Sequence, residues 1–244
     1  MFPTENITTV LFDLDGTLRH SVPTGHDVFW EYAATLGAEN TPESRRKAQQ
    51  WGHSYWADSE DLLIDLETFG KENDEFWQNY TRRHLLALGF SIDEAQKWAV
   101  PAHKHMRKNY HPEDIIPDDV PETLTALRKA NYTIGLVTNR TDPIDNYMEN
   151  NGLNKLVDFY FAAGEIGTWK PKPEIFFYAL GLANAKPQEA IYVGDNYYAD
   201  IVGARSANIQ PILIDPHNFF PEADCPTIEA IGELTPMLKG QPIN

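Results

Sequence analysis

ITTVLFDLDGTL, Ile7 to Leu18, is the stretch whose reading decides the fold. Val10, Leu11 and Phe12 end an apolar run of high β-propensity, the pattern of a strand buried on both faces. The run breaks into Asp13, Leu14, Asp15, Gly16 and Thr17. In an extended backbone the two carboxylates would share one side, roughly 6–7 Å apart, and Gly16 allows a sharp turn after them. Two carboxylates at the carboxyl end of a core strand are costly unless something positive sits between them. A lone Asp-x-Asp is most simply a strand, a turn and a helix cap. This pair ends a hydrophobic strand near the start of a long α/β chain, which makes it a candidate magnesium site.

Working outward, the pattern turns helical for about a hundred residues. Asp27 to Gly37 carries Val28, Phe29, Tyr32 and Leu36 at helical spacing. Thr41 and Pro42 open a second helix with Trp51 and Tyr55 on one face. Ser59 to Gly70 has Leu62, Leu63, Leu66 and Phe69 as its stripe, Glu75 to Leu88 follows, and Ser91 with Glu94 forms a capping box for the last. No buried strand is expected between residues 22 and 112, a segment that holds Trp30, Trp51, Trp56, Trp77 and Trp98. Packing within this segment is the simplest account of those aromatics.

From Ile115 strands and helices alternate: strands at Tyr132 to Val137, Phe159 to Ala163, Ala190 to Val193 and Pro211 to Ile214. The helices between them are predicted at Asp118 to Ala130, Pro143 to Asn150, Lys172 to Leu182 and Tyr198 to Ala207, with a further short one around Thr227 to Leu234. Such alternation implies right-handed crossovers and a mostly parallel, Rossmann-like sheet. The expected organisation is an α/β core from residues 1–21 and 113–244, with an all-helical domain inserted at 22–112.

Composition narrows the function. A formal net charge of −16 argues against nucleic acid and anionic membrane as partners. No apolar run is long enough to span a bilayer. A single cysteine, Cys225, fits a reducing compartment. The opening MFPTENITT lacks the basic region and apolar core of an export signal, so a cytoplasmic location is expected.

In parallel sheets ligands collect beyond the carboxyl ends of the strands. Asp13 and Asp15, Thr138 and Asn139, the Lys170 loop, and Asp195 with Asp200 all belong there. The carboxylates are hard oxygen ligands suited to Mg²⁺. Lys170 offers the positive charge that an anionic substrate needs in so acidic a protein, and the Thr138 hydroxyl can donate to the same region. Arg140 could meet a substrate anion. Arg19, His20 and His26 are expected near a hinge or pocket mouth, while His53, His84, His103, His105 and His111 lack a zinc spacing and read as structural or solvated.

DLDGT at 13–17, VTN at 137–139, GTWKPKPEIF at 167–176 and GDNYYAD at 194–200 occur in that order across about residues 7 to 214. Together they resemble the four motifs of the haloacid dehalogenase-like hydrolases, in the branch with a helical cap inserted after the first motif. Phosphoglycolate phosphatases are similar in pattern. The resemblance implies that Asp13 is a nucleophile forming an aspartyl-phosphate and that Asp15 is general acid, then base. It implies that Asp13, the Asp15 backbone carbonyl and Asp195 hold Mg²⁺, that Thr138 and Lys170 hold the phosphoryl group, and that Asp200 orients Lys170 or metal-bound water. The family lysine falls on Lys170 rather than Lys172. The function expected is a Mg²⁺-dependent phosphatase for a small phosphorylated metabolite, as a monomer or homodimer. A sugar phosphomutase of the beta-phosphoglucomutase type keeps the same motifs. A haloacid dehalogenase would lack Asp15, and a silent binding module would have lost acidic residues or the lysine.

Overall fold

The computed structural model describes residues 6–239. The first five residues of the amino-terminal stretch and the last five of the tail lie outside the described residues. The strands are β1 (Thr9–Phe12), β2 (His20–Val22), β3 (Glu113–Ile115), β4 (Thr133–Thr138), β5 (Phe159–Ala162), β6 (Ala190–Gly194), β7 (Gln210–Ile214) and β8 (Thr227–Ile228). All four residues of β1 are buried. Val10 and Phe12 pack into one apolar core and Leu11 into another, as a strand covered on both faces requires. The helix Asp119–Lys129 brings Val120, Leu124 and Leu127 to the first core; Pro173–Ala183 brings Ile175, Phe176 and Leu180 to the second.

Six strands run in the order β5-β4-β1-β6-β7-β8, each pair parallel. Phe12 is in register with Leu136 of β4 and Val193 of β6, so the chain leaves these three strands at one edge. The chain builds outward on one side of β1 with β4 and β5, then resumes on the other side with β6. That reversal opens a crevice at the carboxyl ends, where ligands bind in such sheets.

Two expectations for the carboxyl-terminal third are corrected. Thr227 and Ile228 are not helical but form β8 beside β7. The sheet edge offers their backbone partners a helix start lacks: Leu213 donates to the Pro226 carbonyl and Asp215 to that of Ile228, both at 2.9 Å. The helix comes later, at Leu234–Leu238. Where a plain helix is predicted over Tyr198 to Ala207, a wider π-turn spans Tyr197–Val202 before the α-helical Gly203–Ser206. Asn196 starts it, its Oδ1 accepting from Tyr198 and Ala199.

The chain divides into two compact units, one up to His20 and from Ile116 onward, the other Ser21–Ile115. The second holds the helices Gly25–Thr35, Pro42–Tyr55, Glu60–Phe69, Asp74–Ala87 and Ile92–Asn109. Thr24, Thr41, Ser59 and Ser91 cap four of them through side-chain oxygens. Its core is aromatic: Tyr55, Leu62 and Phe76 with Trp51, Trp56, Trp77 and Tyr80. Glu60–Phe69 departs from the expected stripe, leaving Leu63 49% exposed and burying Asp65 instead. Asp65 is tolerated there because Tyr55 donates to it at 3.0 Å and Arg83 pairs with it at 2.8 Å. Among the described residues no helix is long and apolar enough to cross a membrane.

Candidate active site

Past Phe12, the Asp13 amide still donates to Val193 of β6 at 2.9 Å, so the sheet itself holds the first carboxylate. The chain then turns at Gly16, whose φ is 90°. A Cβ on Gly16 would sit 2.3 Å from an Asp195 oxygen, and one on Gly194 would sit 2.3 Å from an Asp200 oxygen. These two glycines make the room in which carboxylates from separate loops converge. Asp13, Asp195 and Asp200 offer oxygens within 4.8 Å of one another.

Lys170 lies in the loop after the short helix Ala163–Ile166 that follows β5, and is 2% exposed. Its Nζ donates to Asp13 Oδ1 at 2.6 Å, Asp200 Oδ1 at 2.6 Å and the Tyr192 hydroxyl at 2.9 Å. Tyr192 in turn donates to the Val137 carbonyl at 3.1 Å, and Asp200 Oδ2 accepts from the Asn196 amide at 2.9 Å. The Asn139 side chain binds the Lys170 backbone in both directions, accepting from its amide at 2.8 Å and donating to its carbonyl at 2.9 Å. Asn139 therefore anchors the lysine loop, where the sequence reading has it against substrate. Lys172 is exposed at the N-cap of the following helix.

Three carboxylates face one ammonium here. Burial pushes Asp13 up to about 7 against the pull of Lys170, with Asp200 and Asp15 adding to the rise. Burial, then Asp13 and Asp200, hold Asp195 well above the usual carboxylate range. Burial works to strip Lys170 of its proton, but Asp13 and Asp200 hold the ammonium well above its ordinary value. This surplus of hard, negatively charged oxygen suits a divalent cation such as Mg²⁺.

Thr138 ends β4, buried, and Thr17 reaches Asp13 Oδ2 at 3.4 Å. Asp15 points to other partners. Arg140 grips it with two bonds, Nε to Oδ2 at 2.8 Å and Nη2 to Oδ1 at 2.7 Å, and Arg19 adds a third at 2.9 Å. Burial alone would raise Asp15, but Arg140 and Arg19 outweigh it and hold the carboxyl below its ordinary value. Arg140, expected to meet a substrate anion, thus meets Asp15. His26 lies in the helical insert beside Trp30 and His84, with Nδ1 out of reach of solvent.

Sequence reasoning missed Tyr192 and undervalued Arg19. Tyr192 reads as one more apolar residue of a buried strand; a hydroxyl in such a run, which must find a partner, was the available signal.

The chain matches the haloacid dehalogenase-like hydrolase family over residues 7–208. A pyrophosphatase PpaX from Listeria innocua is 30% identical over 215 residues, covering 84% of this chain and 81% of that protein. A ribulose-1,5-bisphosphate 5-phosphatase from Halopiger xanaduensis is 28% identical, covering 95% and 99%. The crystal structure of a 2-haloacid dehalogenase from Pseudomonas syringae superposes with a TM-score of 0.55 at 26% identity, covering 96% and 98%.

Proposed function

The chain belongs to the haloacid dehalogenase-like hydrolases, a family of enzymes, and from that premise we propose that it is a Mg²⁺-dependent phosphatase acting on a small phosphorylated metabolite. The observation that carries this reading is a buried strand-end carboxylate, Asp13, 2.6 Å from an ammonium that Asp200 also holds at 2.6 Å. Phosphoryl transfer needs an oxygen nucleophile in line with the leaving group and positive charge beside the equatorial oxygens. Asp13 supplies the first and Lys170 the second, with the Thr138 hydroxyl donating to the same phosphoryl group. A bond forms from an Asp13 carboxylate oxygen to phosphorus as the bond to the leaving oxygen breaks, and Asp15, once it has left the arginines and taken up a proton from solvent, gives that oxygen its proton. Asp15 then takes a proton from the water that attacks phosphorus, which frees Asp13 and releases phosphate.

Asp13, Asp195 and the Asp15 backbone carbonyl would hold Mg²⁺, with Asp200 behind them on Lys170. The ion would supply charge offsetting the repulsion between a phosphate dianion and these carboxylates. Names of relatives that act on pyrophosphate and on a bisphosphate agree with a phosphorylated substrate. Dehalogenation is disfavoured, because a halide leaves without a proton and Asp15 would have no task. The net charge of −16 favours a free metabolite over nucleic acid, and a monomer or homodimer in the cytoplasm suits that role.

Phosphate release from a panel of phosphorylated metabolites, using protein stripped of metal and checked by elemental analysis, tests this. Turnover is expected with added Mg²⁺ and not without it. Undiminished turnover by the stripped protein would remove the metal from the reading, and no release from any compound with Mg²⁺ present would remove the phosphatase.

A further inference from the structure

Both oxygens of Asp15 are engaged as the site stands. Arg140 spans both of its oxygens at 2.7 and 2.8 Å, and Arg19 shares Oδ1 at 2.9 Å. Oδ1 already accepts two of these bonds, so for it to meet a leaving-group oxygen one of them must be exchanged. Two guanidinium groups converge on this one carboxylate, beside a site in which Lys170 is enclosed by carboxylates. The cluster is open to solvent: the side chains of Asp15, Arg140 and Arg19 are 36%, 31% and 17% exposed. Arg140 also lies over the Tyr147 ring, 4.8 Å from its centroid, so its position has support apart from Asp15. The arginine fork accepts carboxylate and phosphate oxygens with the same bite.

We propose that Arg140, backed by Arg19, is a specificity subsite for a second oxyanion of the substrate, and that Asp15 occupies this seat until that oxyanion displaces it. The inference rests on the phosphatase reading and names its substrate class: a compact phosphate monoester carrying a further phosphate or carboxylate. Compactness follows from the chain, because Asp15 is only two residues from Asp13. Exchange of one anion for another on the same donors loses few contacts and frees both Asp15 oxygens. A monoester with an uncharged leaving group has nothing to exchange. The competing account is a structural clamp, in which Arg140 only fixes Asp15.

A matched two-carbon series separates these accounts: ethyl phosphate, phosphoglycolate and ethylene glycol bisphosphate, assayed with Mg²⁺. The parent is expected to favour the two members with a second anionic end over ethyl phosphate by at least thirtyfold in kcat/KM, the larger value telling whether carboxylate or phosphate fits better. Arg140→Met should reduce that preference to within threefold, and Arg140→Lys should restore part of it, with thermal unfolding matched throughout. No preference in the parent, a preference that survives in R140M, or an equal loss on all three substrates would overturn the subsite. Calorimetric binding of ethylene glycol bisphosphate and ethyl phosphate to the Asp13→Asn protein, with and without R140M, decides the subsite separately. Failure of the parent to hydrolyse any of the series, with selective bisphosphate binding intact, would strike the phosphatase reading alone.

Discussion

The sheet unit and the helical insert bury polar groups by opposite means. At the sheet edge Asp13, Lys170 and Asp200 are each no more than 5% exposed, yet every one has a charged neighbour within 2.6 Å. In the insert His26 lies beside Trp30 and His84 among Trp51 and Tyr80, with His84 stacked on Phe29 at 4.1 Å, while His53 Nε2 is 2.8 Å from the Gln49 amide nitrogen. Burial pushes His26 down to about 4 and His53 to about 3, and His84 well below its usual value, with His26 adding to the effect on the other two. These imidazoles are neutral. Charge is retained where it is paired and the proposed chemistry uses it, and is suppressed where rings and neutral groups surround it.

The comparison breaks most sharply at Asp13. In Asp13→Asn the nucleophile is gone, and turnover should fall at least a thousandfold, ~4 kcal/mol of barrier. The same change relieves the crowding that pushes Asp13 up, so the melting temperature should hold or rise. More than a tenth of parental activity in a sequence-verified sample would sink the assignment.

Lys170→Met comes next. Methionine keeps most of the stem packing and removes the charge, so kcat/KM should drop by two orders of magnitude or more, about 3 kcal/mol. Lys172→Met should stay within roughly threefold of the parent. Steady-state kinetics on both variants, with matched unfolding curves, check the pair, and the reverse ranking would move the site to the other lysine.

The insert is tested by acid. Free histidine takes up a proton below about pH 6.5, whereas the folded His26 resists until about pH 4. Between those values the unfolded state binds more protons, so stability falls as pH falls, by up to ~1.4 kcal/mol per pH unit for each histidine. Tryptophan fluorescence follows mainly the insert, which holds five of the six tryptophans. Its melting temperature should drop between pH 7 and pH 5, and His26→Gln should flatten the slope. A midpoint independent of pH over that range would mean these rings are charged or reached by water in solution.

Much of this was legible in the sequence because it rests on local rules. A buried run followed by Asp-x-Asp-Gly announces a strand and a turn, and Pro173 at a helix start leaves Lys170 in the loop before it. Capping residues Thr41 and Ser91 mark their helices in the same way. What stayed hidden depends on partners far along the chain. Nothing near Asp15 reveals that Arg140, 125 residues away, grips it, and Asn139 gives no sign that its side chain serves the Lys170 backbone. Asp65 broke the expected stripe because Arg83 and Tyr55, on other helices, neutralise it. Residues 227 and 228 were read as helix because edge pairing with β7 is a contact no local pattern contains.

The smallest effect expected is at Tyr192, and it measures how much redundancy the paired region holds. The hydroxyl joins Lys170 Nζ at 2.9 Å to the Val137 carbonyl at 3.1 Å. In Tyr192→Phe the ammonium keeps both carboxylates, so its charge and most of its restraint survive. One hydrogen bond to a charged group is lost, and a buried carbonyl loses one donor, each worth about 1 kcal/mol or a little more. Part of that loss should fall on folding, as a melting temperature lower by a few degrees. The rest should appear in turnover, as a drop in kcat of roughly fivefold with KM nearly unchanged, because the lysine is less firmly aimed as charge spreads over the transferring oxygens. Kinetics and thermal unfolding of Y192F give both readings. A loss as large as that of Lys170→Met would mean that Tyr192, and not the carboxylate pair, holds the ammonium in place. The contrast with the insert would then lie in one hydroxyl rather than in paired charge.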